Sequence, residues 1–520
     1  MYSKVYSAGL VGLEARKIVV EADVTNGLPS FQMVGLLASA VKEARERVRI
    51  SLQNSGVVFP PKRITVNLSP ADVRKDGSGF DLPIAISLIA AFGRVPLLDT
   101  EQMAFAGELS LDGRIHRVHG ALSMALVAKE SGFSAIMLPA ANAMEASFVE
   151  GIDVIGVRTL QEAIDYLCGK IKIAPVVGKW EEKKWMTVCP EVDFSDICGQ
   201  KTAKKAAETP VAGAHNFLMI GAPGTGKTLL AKAVSGIMPP LHQKEMIELT
   251  QIYSVAGLLD EQRPIVVRRP VRAPHHSISP AAFAGGGTKA LPGEITLAQN
   301  GILFLDEIPE FSRTTLEILR QPMEEGRIQV SRLGYRFEYP AKMMVIGAMN
   351  PCRCGFYPDM EKCRCTPMQV QNYLSRLSEP LLDRMDLCVE MEKRDFVFLG
   401  KTGKEETSEK VRERVMDARE RQAYRYREEE IRYNSELDGK CLEKYCLLGK
   451  KEKILWKELC EQLELSARGA KRLLRVARTL ADLAGREKVE EEHLFEASLY
   501  KGINQKYWNT VPDGKRGGEQ

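Results

Sequence analysis

Residues 221–228, GAPGTGKT, are the part of the chain whose residue types most directly imply chemistry. They match G-x-x-x-x-G-K-[ST] in full, follow the apolar run NFLMI and precede the helical pattern LLAKAVSG. In such a loop the backbone N–H groups surround phosphates, the lysine reaches the β and γ phosphates, and the hydroxyl binds Mg²⁺. The sequence therefore predicts that ATP and Mg²⁺ bind to this phosphate loop, through Gly221, Ala222, Pro223, Gly224, Thr225, Gly226, Lys227 and Thr228.

Three further polar side chains stand at the ends of apolar runs. Asp306 and Glu307 follow ILFL, and Asn350 ends MMVIGAMN. A carboxylate at the carboxyl end of a buried strand can join the Mg²⁺ shell, and a second one can polarise the attacking water. The amide of Asn350 can orient the same water, and as a residue type it is equally suited to a turn.

Two arginines in polar contexts are candidates for binding phosphate charge. Arg384 lies in SEPLLDRMD and Arg468 in LSARGAKRLL. The planar guanidinium suits charge that grows in a phosphoryl-transfer transition state, and an arginine from a neighbouring subunit would couple hydrolysis to assembly. A surface salt bridge and an exposed helix arginine are the alternatives for these two positions.

Four of the eleven cysteines fall in one short stretch, NPCRCGFYPDMEKCRCTP. Cys352, Cys354, Cys363 and Cys365 could supply a tetrahedral Zn²⁺ site whose binding energy orders a polar loop. Idle thiols and redox exchange are the alternatives. We predict structural zinc in this cysteine loop.

Composition limits the class of protein. The chain has 520 residues, which predicts two to four domains, with 44% hydrophobic and 27% charged residues. No uncharged apolar run of about 18 residues occurs and the start lacks a signal-peptide pattern, so we expect a cytoplasmic protein without membrane contact. A net charge of +4 is too small to indicate nucleic-acid binding by itself.

The pattern of elements divides the chain. Short β-rich runs and periodic apolar stretches predict a mixed α/β domain over 1–168, and lost periodicity predicts a linker over 169–190. Alternating strands and helices predict a parallel sheet over 191–395, and charge-dense periodic segments predict a helical domain over 396–503. Residues 504–520 are predicted to be a flexible tail.

The order of phosphate loop, Asp-Glu strand, Asn strand, LLDR arginine and helical-domain arginine resembles the AAA+ ATPases. Within them it is most similar to the magnesium-chelatase-subunit-like group of the ComM/YifB type, through RRPVRAPHHSIS, AMNPCRCGF, CRCTP, YLSRLSEPLLDRMDL and SARGAKRLLRVARTLADL. The resemblance implies an α/β/α core with a helical lid. It also implies rings, commonly hexamers, that migrate DNA branches during natural transformation and recombination.

The resemblance also implies residue roles. Lys227 and Thr228 would bind nucleotide, Asp306 and Glu307 would be the Walker B pair, and Asn350 would be sensor 1. Arg384 would be the trans-acting finger, with Arg376 as a second candidate, and Arg468 would be sensor 2.

The first domain resembles the proteolytic domain of Lon, a ribosomal S5 domain 2-like α/β fold, through GELSLDGRIHRVHGALSMALVAKESGFSAIMLP. Laid along the Lon pattern, Leu122 stands where the catalytic lysine belongs, and Gly79 stands at the nucleophile's position with Ser78 displaced by one. A serine needs a base within hydrogen-bond reach, and leucine cannot serve. We therefore expect the fold without peptidase chemistry, with Lys75 or Lys129 as alternative bases.

Two segments carry basic residues suited to the phosphate backbone of DNA. They contribute Arg268, Arg269, Arg272, His275 and His276, and then Arg327, Arg332 and Arg336. Intersubunit salt bridges or solvated faces are the alternatives. The expected function is a ring-forming ATPase acting on single-stranded or branched DNA, without sequence preference; the alternatives are a Lon-related protease or remodeller and a chelatase-like motor subunit.

Overall fold

The computed structural model describes residues 1–93, 100–180, 191–287, 290–332, 335–392 and 405–508. The chain divides into two compact units. The first unit comprises Met1–Lys184, His242–Val267 and Lys289–Pro292, and the second comprises Trp185–Leu241, Arg268–Thr288 and Gly293–Gln520. The end of the predicted linker, the predicted boundary at 395/396 and most of the predicted tail lie outside the described residues.

The first unit is built on a mixed seven-stranded sheet. Its strands, in spatial order, are Ser30–Val34, Arg63–Ser69, Glu14–Thr25, Tyr2–Val11, Met103–Phe105, Ala135–Pro139 and Asp153–Val157. Short strands lie at Glu108–Leu109, Ile115–His116 and Leu291–Pro292, and the helices are Ser39–Asn54, Asp81–Phe92, Ala121–Glu130, Ala140–Ala146, Leu160–Leu167 and Gln243–Val255. Asp81–Phe92 is buried almost throughout, because its apolar residues cover the sheet.

The helix Gln243–Val255 follows the phosphate loop in sequence and yet lies in the first unit. Gly120 donates its N–H to the carbonyl of Ser254 at 3.2 Å, and Gln251 donates its side-chain amide to the carbonyl of Leu13 at 3.0 Å. The division drawn from sequence assigned this segment to the 191–395 domain. The chain instead leaves the second unit near residue 242 and re-enters it near 268.

The second unit contains the predicted parallel sheet, which is confirmed. Its five strands, in spatial order, are Val271–Arg272, Ile302–Leu305, Met344–Met349, Phe217–Gly221 and Leu387–Met391. The three central strands are buried at every residue, as apolar strands covered on both faces are. All carboxyl ends therefore meet at one edge, the carboxyl edge, and all amino ends meet at the opposite amino edge.

Other elements surround this sheet. A two-stranded hairpin pairs Arg327–Arg332 with Tyr335–Pro340, and a short strand lies at Gly285–Gly286. Before residue 392, the helices of the second unit are Lys201–Gly213, Lys227–Ile237, Pro280–Ala284, Glu294–Leu297, Arg313–Ile318, Arg320–Glu325, Pro367–Leu374 and Glu379–Asp383.

The C-terminal part of the second unit is helical, as the charge pattern predicts. The helices are Ser408–Arg425, Gly439–Tyr445, Lys450–Gln462, Ala467–Leu483 and Glu491–Trp508. Ser466 caps Ala467–Leu483 by accepting the N–H of Gly469 at 3.1 Å. The buried face of that helix shares one hydrophobic core with the sheet strands. Among the described residues, no helix has both the length and the apolar composition that crossing a membrane requires.

Candidate active site

The phosphate loop connects the strand Phe217–Gly221 to the helix Lys227–Ile237 at the carboxyl edge. Gly224 and Gly226 have φ angles of 78° and 90°, the left-handed conformation that glycine adopts without steric cost. The ammonium group of Lys227 donates to the carbonyls of Gly221 at 2.8 Å and Ala222 at 3.0 Å. Burial lowers the pKa of Lys227, and the nearby carboxylates of Asp306 and Glu307 partly oppose this.

The acidic pair lies directly beside the loop. The hydroxyl of Thr228 donates to Oδ2 of Asp306 at 2.8 Å, which brings together the two oxygen types that Mg²⁺ prefers. Glu307 is exposed and has a φ of 49°, which is uncommon for a residue other than glycine. Its backbone is held on both sides: its N–H donates to Oδ1 of Asp306 at 3.0 Å, and its carbonyl accepts from Glu310 at 2.7 Å.

Asn350 completes this group from the neighbouring strand Met344–Met349. Its Oδ1 accepts a hydrogen bond from Nζ of Lys227 at 3.1 Å. Lys227, Thr228, Asp306, Glu307 and Asn350 thus converge at the carboxyl edge. The arrangement suits a nucleotide site in which a cation, a metal-binding carboxylate and a water-polarising carboxylate surround one phosphate chain.

The two predicted phosphate-binding arginines lie at the other end of the sheet. Arg384 precedes the strand Leu387–Met391, and its carbonyl accepts from the side chain of Asn216, which precedes Phe217–Gly221, at 3.3 Å. The strand Phe217–Gly221 alone separates the amino edge from the phosphate loop by about 13 Å. Arg384 is therefore remote from the phosphate loop of its own chain.

Glu324 binds both arginines and was not singled out from the sequence. Its Oε1 lies 2.6 Å from Nη2 of Arg384 and 3.3 Å from Nη1 of Arg468. The Arg384 side chain is 7% exposed and that of Arg468 is 68% exposed. Burial raises the pKa of Glu324, but Arg384 and Arg468 more than offset this and hold it below its usual value.

A cavity of about 570 Å³ opens at the amino edge. Its polar lining is rich in cations, and it includes Arg269, Lys342, Arg468, Lys471, Arg472 and Arg475. Asp386 also lines the cavity, and its buried carboxylate accepts the N–H of Asn216 at 2.9 Å and lies 3.8 Å from Nε of Arg472. Burial acts to raise the pKa of Asp386, but His215, Arg472 and the backbone N–H hold it well below the usual range.

Arg376, the second candidate for the trans role, lies apart from Arg384, Glu324 and Arg468. It donates to Oε2 of Glu310 at 2.8 Å and to the carbonyl of Pro309 at 3.1 Å, in the turn that follows Glu307. Arg376 therefore lies near the carboxyl edge of the sheet, whereas Arg384 lies at the amino edge.

The four cysteines of the cysteine loop are brought together. Their sulfur atoms all lie within 4.8 Å of one another, and Cys352 Sγ is 3.3 Å from Cys354 Sγ and 3.8 Å from Cys363 Sγ. Four thiolates around tetrahedral zinc are roughly 3.8 Å apart, since each Zn–S bond is about 2.3 Å. Burial opposes ionisation of these thiols: it raises the pKa of Cys363 and Cys365, whereas backbone N–H groups and the neighbouring thiols lower the pKa of Cys354 despite it. The spacing of the four sulfur atoms fits a tetrahedral thiolate-bound metal.

The candidate DNA-binding residues divide into two sets. Arg272 binds both carboxylate oxygens of Glu294 at 2.6 and 2.7 Å, Arg327 pairs with Glu338 at 3.1 Å, and Arg269 donates to backbone carbonyls. Arg268, His275 and Arg336 are exposed, while His276 is half-buried and its ring packs against that of His275, with the ring centres 4.0 Å apart and the planes tilted by 35°. The side chain of Arg332 lies outside the described residues.

Ser78 and Lys75 of the first domain, the residues considered for a Ser-Lys dyad, each bind another group. The hydroxyl of Ser78 binds the carboxylate of Glu108, and the buried ammonium of Lys75 donates to the carbonyl of Pro70. Leu122 is fully buried, and its N–H donates to Glu145 at 3.2 Å. Lys129 is exposed.

Comparison with known proteins covers nearly the whole chain. Models of the magnesium chelatase subunit ChlI match residues 193–397 and 20–142, and a model of its C-terminal region matches 405–501. The chain is 41% identical over 501 residues to the YifB protein of Salmonella typhimurium, covering 96% of this chain and 97% of the relative. It is 40% identical over 504 residues to the competence protein ComM of Haemophilus influenzae, with the same coverages.

A more distant likeness concerns the N-terminal part. There the chain is 28% identical over 129 residues to the archaeal Lon protease of Methanocaldococcus jannaschii, which is 25% of this chain and 20% of the relative. The full-length matches, together with the phosphate loop and its acidic pair, imply ATPase activity. The chain belongs to the YifB/ComM family of magnesium-chelatase-subunit-like AAA+ ATPases.

Proposed function

We propose that this ATPase forms a ring, a hexamer, in which each nucleotide is bound between two subunits. The observation that carries the proposal is the position of Arg384 and Arg468 at the amino edge, remote from the phosphate loop of the same chain. Arginines that serve phosphoryl transfer must reach the γ-phosphate. If the carboxyl edge of a neighbouring subunit faces this amino edge, both arginines can contact the γ-phosphate of the nucleotide bound to that neighbour.

We further propose that the ring is a cytoplasmic motor on single-stranded or branched DNA, and that it promotes branch migration in recombination and natural transformation. The relative named as a competence protein supports this assignment. Arg268 and Arg336 are exposed on the two basic segments and are suited to the phosphate backbone, whereas Arg269, Arg272 and Arg327 already have partners in the chain. Contacts with phosphates alone bind without reading sequence.

For the N-terminal domain we propose a Lon-like fold without peptidase activity. The hydroxyl of Ser78 binds Glu108 and the ammonium of Lys75 binds Pro70, so neither has the partner that a Ser-Lys dyad needs. Casein should remain intact on incubation with the protein and ATP. Degradation that the substitution Ser78→Ala abolishes would contradict this assignment.

For the cysteine loop we propose one structural Zn²⁺ per chain. Cys352, Cys354, Cys363 and Cys365 would hold it, and the metal would supply a cross-link that orders a short polar loop. Metal analysis of protein purified without chelator should find about one zinc per chain. A zinc content near zero would refute the assignment.

The motor proposal is tested by steady-state ATPase activity with no DNA, single-stranded DNA and forked DNA, at low and high salt, with Lys227→Ala as the blank. DNA should stimulate hydrolysis, and stimulation should weaken as salt rises because phosphate contacts release counterions. The double variant Arg268→Glu/Arg336→Glu should lose the stimulation and keep the DNA-independent rate.

Arg427→Glu is the charge control, since Arg427 is an exposed arginine on the helical part of the chain. This variant should respond to DNA as the wild type does. Vigorous hydrolysis that is indifferent to DNA would refute a DNA motor, and it would favour a protein substrate or a chelatase-type partner.

A further inference from the structure

The cysteine loop touches the phosphate loop through a glycine. Gly355, between Cys354 and Phe356, has a φ of 84°, and a Cβ atom at this position would lie 2.3 Å from Cδ of Pro223. That distance is well inside van der Waals contact, so the residue must be glycine for the loops to approach this closely. Pro223 is part of the phosphate loop itself. The cysteine loop therefore packs directly against the phosphate loop at Pro223.

One of the four sulfur atoms fixes this glycine. Cys352 is fully buried, and its Sγ accepts the N–H groups of Gly355 at 3.2 Å and Tyr357 at 3.5 Å. N–H groups that donate to a ligating atom fix its position and orientation. The orientation of the Gly355 turn thus depends on where the sulfur of Cys352 is held.

The same loop is joined to the nucleotide site at its beginning. Asn350 precedes Cys352 by two residues and accepts the hydrogen bond from Lys227. At its middle, the ring of Tyr357 lies 6.2 Å from the ring of Tyr507 in the last helix. The cysteine loop therefore contacts the phosphate loop, the lysine of that loop and the C-terminal helix within a few residues.

We propose that zinc bound to the four cysteines controls nucleotide affinity, because it fixes Gly355 against Pro223 and Asn350 against Lys227. The cysteine loop then acts as a metal-dependent clamp on the phosphate loop. Zinc would thus stabilise the phosphate loop as well as the cysteine loop itself. This inference rests on the zinc site proposed above and is independent of whether the protein acts on DNA. Zinc occupancy would set how tightly each subunit binds ATP.

Coupling of this kind is reciprocal. If zinc raises the affinity for nucleotide by a given factor, nucleotide raises the affinity for zinc by the same factor, and such factors are typically about 5 to 150. Both affinities can be measured at equilibrium on the full chain. A fluorescent ATP analogue reports nucleotide binding, and competition with a chromophoric chelator reports zinc binding.

The first comparison uses zinc-loaded and zinc-depleted wild-type protein. Depletion should weaken nucleotide binding by about tenfold or more, and saturating nucleotide should strengthen zinc binding by a matching factor. Trypsin gives a readout independent of nucleotide, since Arg353, Lys362 and Arg364 lie in the loop. Cleavage there should be rapid only without zinc.

Gly355→Ala tests the contact itself while keeping all four cysteines. This variant should bind zinc and still bind nucleotide at least several-fold more weakly than the wild type. Gly132→Ala is the matched control, because Gly132 has a φ of 82° with nothing within 4 Å of its Cβ position. It carries the same backbone strain without the contact, and nucleotide affinity should not change.

The outcomes separate the two proposals. Absence of zinc from the purified protein would overturn both the zinc site and the clamp. Stoichiometric zinc with equal nucleotide affinity in loaded and depleted protein would overturn the clamp alone. Normal nucleotide affinity in Gly355→Ala would also overturn it, because the loops could then separate without consequence.

Discussion

Mixing two inactive variants tests whether Arg384 serves the nucleotide site of a neighbour. Lys227→Ala removes the ammonium predicted to bind phosphate at the carboxyl edge, and Arg384→Ala removes the guanidinium at the amino edge. The two positions are separated by at least the length of a five-residue strand, about 13 Å. If the arginine acts in trans, each variant lacks one half of every site but retains the other half.

The expected magnitudes follow from this division. Alone, Arg384→Ala should lower kcat by about a thousandfold or more, the range typical of arginine fingers. In an equimolar random ring, half of the subunits retain Lys227 and half of their neighbours retain Arg384, so about a quarter of the sites are complete. Two preparations with almost no activity should therefore give about a quarter of the wild-type rate after mixing.

The assay is phosphate release at protein concentrations where the wild type is assembled, with subunit exchange allowed before ATP is added. Size-exclusion chromatography of each variant controls for assembly. A mixture that stays as inactive as its components, although mixed rings form, would refute the trans role of Arg384. Recovery with Arg376→Ala in place of Arg384→Ala would assign a trans role to Arg376.

Three further predictions follow from the side-chain contacts. Glu307→Gln should leave ATP binding intact and lower kcat by about 10² to 10⁴, as loss of a general base does, and titration with a fluorescent ATP analogue alongside phosphate release checks both. Glu324→Gln leaves the buried Arg384 without its counter-charge, so it should lower the free energy of unfolding by about 3 kcal/mol in denaturant titrations. Glu325→Gln is the control at a more exposed site, and it should change the free energy of unfolding by less than about 0.5 kcal/mol. Asp386 has a depressed pKa, so its carboxylate stabilises the fold above its unfolded-state pKa of about 3.8 and loses this effect as the pH falls below that value. The difference in unfolding free energy between wild type and Asp386→Asn should therefore shrink as the pH is lowered from about 4.

The carboxyl edge of the active site could be predicted from the sequence because its residues follow a local rule. Asp306 and Asn350 each stand at the end of an apolar run, the phosphate loop with Lys227 follows a third such run, and parallel strands bring their carboxyl ends together. The rule needs only the strand pattern and the direction of pairing. The sequence alone was enough to expect these side chains at one edge of a sheet.

The partners at the amino edge could not be predicted in the same way. Glu324 stands beside Glu325 in a run of ordinary helix residues, and only the folded chain brings it to Arg384, 60 positions later, and to Arg468 in the helical part. Arg272 illustrates the same limit, since its two hydrogen bonds to Glu294 turn a candidate DNA contact into an ion pair within the chain. Residue type indicates what a side chain can bind, whereas the fold decides which partner is within reach.

The first unit shows a limit of another kind. The helix Gln243–Val255 lies between the phosphate loop and Asp306 in sequence, so chain order assigns it to the ATPase core. Its packing is decided by contacts such as the bond from Gly120 to the carbonyl of Ser254, which link residues more than a hundred positions apart. Periodicity identifies a helix but carries no information on which distant surface covers its apolar face.

The ion pairs at Glu324 bear on how assembly and hydrolysis are coupled in the proposed ring. Within one chain, the single carboxylate of Glu324 pairs with both guanidinium groups, and Arg384 is almost fully buried against it. The γ-phosphate of a neighbouring nucleotide must therefore compete with this carboxylate for the same donors. A triphosphate with Mg²⁺ at the interface offers several charged oxygens to two arginines, while Glu324 offers one carboxylate. The two arginines therefore exchange Glu324 for the γ-phosphate only when the neighbour's nucleotide is in contact with them. Until the interface has formed, they remain bound to Glu324 of their own chain.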